Sequence, residues 1–512
     1  MRVPVSWLRD HVALPEGITA PNTSEIADAF VRAGIEVEAV HQLGPVQGPL
    51  VIGRVLQIEE LTGFKKPIRY CLVDDGELEP RGIVCGATNF EVEDLVVVAR
   101  PGTVLPGGFT IAARPTYGRT SEGMICSAAE LGLGDDHAGI MVLPEGDATP
   151  GEGAIELLGL DDAVVELAIT PDRGYCLSIR GLARELAIAF DVPYGDPAQL
   201  ELPAAGSGTW SVRIDDHLGC RRFVTRRVSG VDPSASSPWW MRRRLQLVGM
   251  RPISLAVDVT NYVMLELGQP LHAFDADKLE GDLVVRRATE GEKLTTLDGV
   301  NRNLDPDDMV IADSTGPVSL AAVMGGESTE IGPQTTRFVL EAAIWDPASV
   351  ARTARRHKLP SEAARRFERG VDPTLPPVAA ELAATLLARY GRGEIRPGRT
   401  DVGQPPRPAP VTMPLNLPDR VAGRRYARGA TVRRLTQIGC QVEVGGSDGT
   451  TTVTASPPSW RPDLTQPADL VEEVLRLEGY DSIPAELPPA PSGRGLTLAQ
   501  RRRREVSRRL AG

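Results

Sequence analysis

The sequence predicts an α+β protein of several domains, and three observations predict it: its length, its changing hydrophobic period, and three stretches too rich in proline and glycine to bury a core. A chain of 512 residues exceeds what a single hydrophobic core supports, because cores stop growing beyond roughly 250–300 residues. Helical spacing of apolar residues gives way repeatedly to strand-like alternation along the chain. Pro193 to Thr209, Pro397 to Pro410 and Pro484 to Gly495 read as linkers and leave four pieces between them.

In the first piece, Thr23 or Ser24 can cap a helix that places Ile26, Phe30 and Ala33 on one face, and Gly34 ends it. A strand follows, with Ile35, Val37 and Ala39 inward and Glu36 and Glu38 outward. From about Pro45 to Pro150, short apolar runs (Leu50 to Ile52, Ile83 to Cys85, Leu95 to Ala99, Ile140 to Leu143) are separated by glycine and proline turns. That is the pattern of a small antiparallel barrel, for which an oligonucleotide-binding (OB) fold is one candidate. Helical periodicity returns over Leu177 to Phe190, a partner for the opening helix. The barrel, residues 41–150, therefore reads as an insertion into one small α+β domain made of residues 1–40 and 151–200.

The third piece, residues 210–396, mixes strands (Leu283 to Val285, Met309 to Ala312, Val318 to Met324) with helices, one of them running from the cap Ser237-Pro238 to Gly249. It is expected to be a mixed α/β module. The fourth, residues 408–483, carries a helix near Thr431 to Ile438, alternating strands through Val442 and Val453, and a last helix from Pro467. It is expected to be a compact α+β, winged-helix-like module.

Composition narrows the function. A formal net charge of −12 argues against a protein that coats nucleic acid without specificity, since neutralising phosphates takes a basic excess. No apolar run approaches the roughly 20 residues of a membrane helix, and the opening Met1 to Trp7 lacks the apolar core of a signal peptide. A cytoplasmic protein with no membrane partner is expected. The six cysteines, with no C-x-x-C pair among them, read as small buried hydrophobes rather than zinc ligands or a disulfide framework.

Two constellations carry chemistry. Ser459-Trp460-Arg461-Pro462-Asp463 precedes a helix on which Asp469 shares a face with Glu472 and Glu473, at spacings of three and four. Acids in a first helical turn commonly do no more than offset the macrodipole. Crowded carboxylates can also hold a hard divalent cation such as Mg2+; spacing alone favours the first reading. The second constellation is Val257-Asp258-Val259-Thr260-Asn261-Tyr262 followed by Glu266 to Asp275, which includes His272. Thr260, Asn261 and His272 fall at the ends of short segments where polar groups can converge, although a lone histidine is more often structural.

Both constellations resemble segments of the beta subunit of bacterial phenylalanyl-tRNA synthetases, in an actinobacterial-like form, and the resemblance runs from Met1 to about Tyr480. What it implies is specific. Asp463, Asp469, Glu472 and Glu473 match a magnesium site at the contact with the alpha subunit. Thr260, Asn261 and His272 match the lining of an editing pocket that hydrolyses tyrosine wrongly attached to tRNA(Phe). Glu341 would recognise the tyrosine phenol, with Gly325, Gly326 and Ala363 as small walls of the pocket. The segment Glu122 to Ser127, with Glu130-Leu131-Gly132, resembles the family's tRNA-binding domain. There the usual His-Pro-x-Ala-Asp-x-Leu turn is replaced by Leu61 to Arg69, and residues 50–150 hold eight Lys or Arg against fifteen Asp or Glu.

Arg366-Phe367-Glu368 mimics the Arg-x-Glu of a class II synthetase motif, but within this family Arg366 to Pro373 is an editing-module landmark. Thr170 to Ser178 matches a domain-packing landmark. The basic runs Arg242 to Arg244, Arg352 to Lys358 and Arg501 to Arg504 remain local candidates for RNA contact. By resemblance, the protein supports charging of tRNA(Phe) by the alpha subunit in an α2β2 heterotetramer that uses Mg2+ and ATP, and edits mischarged tyrosyl-tRNA(Phe). The alternative is a noncatalytic scaffold or tRNA-binding protein that docks the alpha subunit. Residues 490–512, with a helix at Thr497 to Leu510, are expected to begin the catalytic-like domain with which the family continues.

Overall fold

The computed structural model describes residues 1–14, 23–42, 46–133, 139–144, 146, 148–205, 210–447, 450–485, 493 and 495–512. The linker expected at Pro484 to Gly495 lies largely outside the described residues, as does the end of the one expected at Pro193 to Thr209. The chain is a mixed α+β protein of several domains.

Strand β1 (Arg2–Pro4) runs into α1 (Val5–Arg9), and α2 (Ser24–Arg32) is followed by β2 (Glu36–Gln42). Ile26, Ala29 and Phe30 bury one face of α2, and Gly34 at φ +78° turns the chain into the strand, a conformation that costs glycine nothing. Next come β3 (Leu50–Leu61), β4 (Ile68–Asp74), β5 (Arg81–Cys85) and β6 (Leu95–Ala99). Two short hairpins follow, β7 (Val104–Leu105) with β8 (Phe109–Thr110) and β9 (Arg114–Thr116) with β10 (Arg119–Ser121), then β11 (Met124–Ile125) and β12 (Val142–Leu143). The main sheet has the order β11-β6-β3-β4-β5, with β12 also on β6. All five residues of β6 are buried, which is why that run is continuously apolar instead of alternating. Asp75, with a fully buried side chain, is neutralised by Arg81 at 2.7 Å and Arg100 at 2.8 Å.

After α3 (Ala154–Leu157), β13 (Ala163–Ala168) lies antiparallel between β1 and β2. Residues on either side of the inserted sheet thus share one three-stranded sheet. A 3-10 turn, Pro171–Cys176, leads to α4 (Ile179–Phe190), whose cap Ser178 accepts a hydrogen bond from the Gly181 N–H.

Residues 212–403 hold two five-stranded sheets and one two-stranded hairpin sheet, Lys293–Thr295 with Asn301–Asn303. Their elements are β14 (Val212–Ile214), β15 (Cys220–Ser229), α5 (Trp239–Leu247), α6 (Leu255–Leu267), β16 (Leu271–Asp275), β17 (Leu283–Arg287), β18 (Lys293–Thr295) and β19 (Asn301–Asn303). Then come β20 (Met309–Asp313), β21 (Gly316–Leu320), β22 (Met324–Gly325), β23 (Arg337–Trp345), α7 (Pro347–His357), α8 (Glu362–Arg369), α9 (Pro376–Gly391), β24 (Glu394–Ile395) and β25 (Thr400–Gly403). One five-stranded sheet is β14-β17-β20-β21-β22; the other is β16-β23-β15-β24, with β25 also on β15. The stretch Pro397 to Pro410 is therefore not all linker, since Thr400–Gly403 pairs along Arg222–Thr225. Four residues of strand fall below what periodicity resolves.

The last piece has β26 (Val411–Pro414), α10 (Leu417–Ala422), α11 (Ala430–Gln437), β27 (Gln441–Ser447), β28 (Thr450–Ser456) and α12 (Pro467–Glu478), in a sheet of order β26-β28-β27. Helix α13 (Leu498–Ala511) is exposed along its length. No described helix is long and apolar enough to cross a membrane, and all six cysteines are free and buried.

Candidate functional site

The carboxylates of the last module are not gathered as a metal-ligand set. Glu473 is fully buried and faces three guanidinium groups. Its Oε1 accepts from Arg173 at 3.0 Å, Arg461 at 2.9 Å and Arg476 at 3.1 Å, and its Oε2 accepts from Arg461 at 2.9 Å and Arg476 at 2.6 Å. Burial alone would raise its pKa; Arg476 and Arg461 hold it well below the usual carboxylate range. Asp463 is forked by Arg461, with Nη2 to Oδ2 at 2.6 Å. Oδ2 of Asp469 accepts the backbone N–H groups of Thr465 and Gln466 at 2.8 and 2.9 Å, closing a capping box. Glu472 accepts from the Tyr480 hydroxyl at 2.6 Å and from Arg173 at 3.2 Å.

Among the described residues, no group of three or more His, Cys, Asp or Glu side chains converges as a metal would need. The expected magnesium set of Asp463, Asp469, Glu472 and Glu473 is thus not assembled within this chain. The physical reason is that arginines already supply the counter-charge. A cation would have to displace guanidinium groups from Glu473, so the residues present do not fit the metal. What they build instead is a joint: Arg476 also pairs with Glu185 on α4 at 2.8 Å and donates to the Ala33 carbonyl. Tyr175 donates to Glu185 at 2.7 Å.

The second constellation does converge. A cleft of about 820 Å³ runs beside the edge strand β16, between the first half of α6 and the 330–335 loop; Thr260 and His272 both line it. The pairing register places Glu341 of β23 directly opposite His272 on one side and Thr225 of β15 on the other. Cross-strand partners share a face, with Cβ atoms about 4.5–5.5 Å apart, so His272, Glu341 and Thr225 form a polar row across three strands.

Two members of the row lack partners. His272 Nε2 and Thr225 Oγ1 are buried with no hydrogen-bond partner among the described residues. The His272 ring is half-buried overall and packs edge-on against Phe274, centroids 4.4 Å apart. Its Nε2 is covered by the backbone of Gly325, where a Cβ would stand 2.8 Å from that nitrogen and 2.4 Å from Cε1. Burial alone pulls the His272 pKa down to about 4 and pushes Glu341 up to about 8. Near neutral pH the row carries no charge: the imidazole is free base and the carboxyl keeps its proton.

The remaining candidates sit around this row. The Thr260 hydroxyl donates to the Val257 carbonyl at 2.9 Å. Asn261, next to it on α6, is half-buried and outside the cleft lining. Gly326 has no room for a Cβ, which would lie 2.6 Å from the Val318 carbonyl oxygen. Ala363 packs against the cluster that contains Val323 and Met324. Two residues that sequence reasoning did not name, Thr225 and Leu297, belong here, as does Arg242, named there only within a basic run. Thr225 looks like any strand threonine until its register is known. Leu297 presses on the Gly325 position, and Arg242, stacked over Trp239, lines the cleft mouth. Arg366 is fully buried and donates to the Leu177 carbonyl at 3.0 Å, a packing role that suits no phosphate.

Comparison with known proteins was informative along the whole chain. Family models match as a putative tRNA binding domain over residues 50–153, a B3/4 domain over 219–392 and a tRNA synthetase B5 domain over 411–480. The chain is 59% identical to a phenylalanine--tRNA ligase beta subunit from Nocardia farcinica, 56% to one from Mycolicibacterium paratuberculosis and 57% to one from Streptomyces avermitilis. Each alignment covers 100% of this chain and 62% of the relative, so the chain spans about three fifths of the length of these proteins.

Proposed function

Because the chain belongs, by homology along its full length, to the phenylalanine--tRNA ligase beta subunits, we propose that it edits tyrosyl-tRNA(Phe) by ester hydrolysis and supports charging by an alpha subunit. The observation that carries this reading is the uncharged row His272, Glu341 and Thr225, which reaches the cleft through His272. A buried carboxyl that keeps its proton can both donate to and accept from a phenol. A pocket built to bond a hydroxyl discriminates strongly against the analogue lacking it, because its own polar group is otherwise left unpaired. Phenylalanyl ester would leave Glu341 unpaired, and tyrosyl ester would satisfy it.

In this reading water attacks the ester carbonyl, the carbonyl–oxygen bond to the terminal ribose breaks, and tyrosine and a free ribose hydroxyl leave. Neutral His272 positions the ester or water from beneath Gly325, and Thr260, in the middle of α6 with Asn261 beside it, orients the amino acid. Gly326 and Ala363 keep the wall close. Residues 41–150 would form an OB-like barrel facing tRNA(Phe), and residues 408–483 a winged-helix-like module. The assembled cytoplasmic α2β2 enzyme would use ATP and Mg2+ in the alpha-subunit site. The arginine-filled surroundings of Glu473 support no metal step in this chain.

The test is hydrolysis of tyrosyl-tRNA(Phe) and phenylalanyl-tRNA(Phe) by the chain alone and with an alpha subunit. Selective loss of the tyrosyl ester, abolished by His272→Ala, is expected. Equal background loss of both esters would leave only a scaffold that binds the alpha subunit.

A further inference from the structure

The residues 50–150 are acidic as a whole, yet five of their eight basic residues, Lys65, Lys66, Arg69, Arg114 and Arg119, lie on two neighbouring segments. These are the β3–β4 loop with the start of β4, and the β9–β10 hairpin. The other two barrel arginines with buried partners, Arg81 and Arg100, are spent on Asp75. At the tips of the same two segments stand Phe64 and Tyr117, 45% and 50% exposed, packed edge-to-face with ring centroids 4.7 Å apart.

Tyr117 is also held in a left-handed conformation, φ 52°, with Gly118 at φ +80°. With Thr116 paired to Arg119, that is a two-residue hairpin turn in which both central residues have positive φ, a place that favours Asn-Gly. A bulky tyrosine there is strained, and its ring stays half exposed. Such strain gathers at functional positions. Lys65, Lys66 and Arg114 have no acidic partner among the described residues, whereas the nearby Glu59 and Glu60 are already paired with Arg119 and Arg69.

We propose that Phe64 and Tyr117 form a stacking platform for unpaired RNA bases, with Lys65, Lys66 and Arg114 holding the adjoining phosphates. Exposed aromatic faces flanked by free cations are how proteins grip single strands, because every base offers a π-face. Paired bases in a helix keep their faces covered, so a duplex offers this platform nothing to stack on. The inference rests on the reading above only in taking the natural ligand to be a loop of the tRNA whose end enters the cleft. Net acidity of the barrel then works as a filter: duplex backbone is repelled everywhere except at this one spot.

Fluorescence anisotropy on the full chain tests it, using a labelled oligouridylate of about a dozen nucleotides and an RNA duplex of equal length. Oligouridylate should bind more tightly than duplex, with a log K against log salt slope of about −2 for three cations on a single strand. Phe64→Ala and Tyr117→Gly should each weaken it roughly tenfold. Phe109→Ala, removing an equally exposed ring on β8, should change nothing. Tyr117→Gly relieves the turn, so its effect is not one of unfolding. Equal affinity for duplex, no binding, or binding untouched by either ring would overturn the proposal. So would binding that vanishes only when Arg501 and Arg502 of α13 become alanine, or loss of alpha-subunit association with RNA binding intact in the Phe64→Ala chain. Ester hydrolysis at His272 is measured separately, so a failed titration with intact hydrolysis refutes this inference alone.

Discussion

Gly325→Ala is the sharpest perturbation of the polar row. The added methyl would stand 2.4 Å from His272 Cε1, 2.8 Å from Nε2 and 3.3 Å from Leu297 Cδ1. Carbon atoms settle at about 3.5 Å or more, so the imidazole must retreat by roughly 1 Å. Phe274, edge-on to the ring at 4.4 Å, and Leu297 block the easy directions, so part of the strain stays. Overpacking of this kind costs about 1–3 kcal/mol of stability, which a thermal melt will read as a modest loss. A misplacement of about 1 Å at a reacting group costs on the order of a hundredfold in rate, and that is the expected fall in single-turnover hydrolysis of tyrosyl-tRNA(Phe). The double variant should be no slower than His272→Ala alone, since both substitutions act on the same ring. A folded Gly325→Ala chain that hydrolyses at the parental rate, or a double variant in which the two losses multiply, would refute the placement of His272 beneath Gly325 during turnover.

Glu341→Gln keeps a neutral group that donates and accepts, so discrimination of tyrosyl over phenylalanyl ester should survive in hydrolysis assays, while Glu341→Ala should abolish it. Stability should depend on pH with a sign set by the same carboxyl. Raised from 4.5 to about 8, Glu341 holds its proton in the folded chain after the unfolded chain has lost it, so stability falls as pH rises from 4.5 to 8. His272, lowered from 6.5 to about 4, has the opposite slope below pH 6.5; above it His11, whose pKa is raised, and the Met1 ammonium, lowered by burial, also titrate, so the Glu341 slope between pH 6.5 and 8 is read from denaturant melts as the difference between the parent and Glu341→Gln. The slope there is at most about 1.4 kcal/mol per pH unit, and Glu341→Gln should flatten it. Glu473→Ala removes the carboxylate shared by three buried guanidinium groups, leaving Arg461 to Asp463, Arg476 to Glu185 and Arg173 to Glu472, and should cost up to about 3–5 kcal/mol in chemical denaturation. Excess EDTA should leave the melting of the parent chain unchanged; a Mg2+-dependent rise that Glu473→Gln removes would restore a metal at this position.

How much of this was legible in the sequence depended on whether the signal was local. Helix caps and stops were: α2 begins at Thr23-Ser24 and ends before Gly34, and α12 begins at Pro467. The mixed α+β character and the family likewise followed from runs of contiguous residues. The polar row was only half visible, because Thr225, His272 and Glu341 are brought together by strand register over more than a hundred residues, and register leaves no mark in a single sequence. The carboxylates misled for a related reason. Asp469, Glu472 and Glu473 look like an unpaired acidic face until Arg173, nearly three hundred residues earlier, and Arg461 are seen to fold onto them.

The four pieces that proline and glycine mark out are covalent segments, and the energetics of the cleft cross their boundaries. Helix α6 shows Val257 and Thr260 to the cleft, while its other side belongs to the N-terminal domain. Tyr262 is stacked on Trp7, centroids 5.1 Å apart, and meets Trp240 edge-on at the same distance. Glu266 accepts from the Trp7 indole N–H and contacts His11 at 2.5 Å. Trp7, Phe30, Leu182, Val263 and Leu387 fall in one continuous buried cluster. A buried aromatic stack and a charge-assisted contact resist sliding far more than apolar packing alone, since each has a preferred geometry. The helix that presents Thr260 is therefore fixed in rotation by residues of the first dozen in the chain, and the depth of the cleft is set from outside the module that contains it.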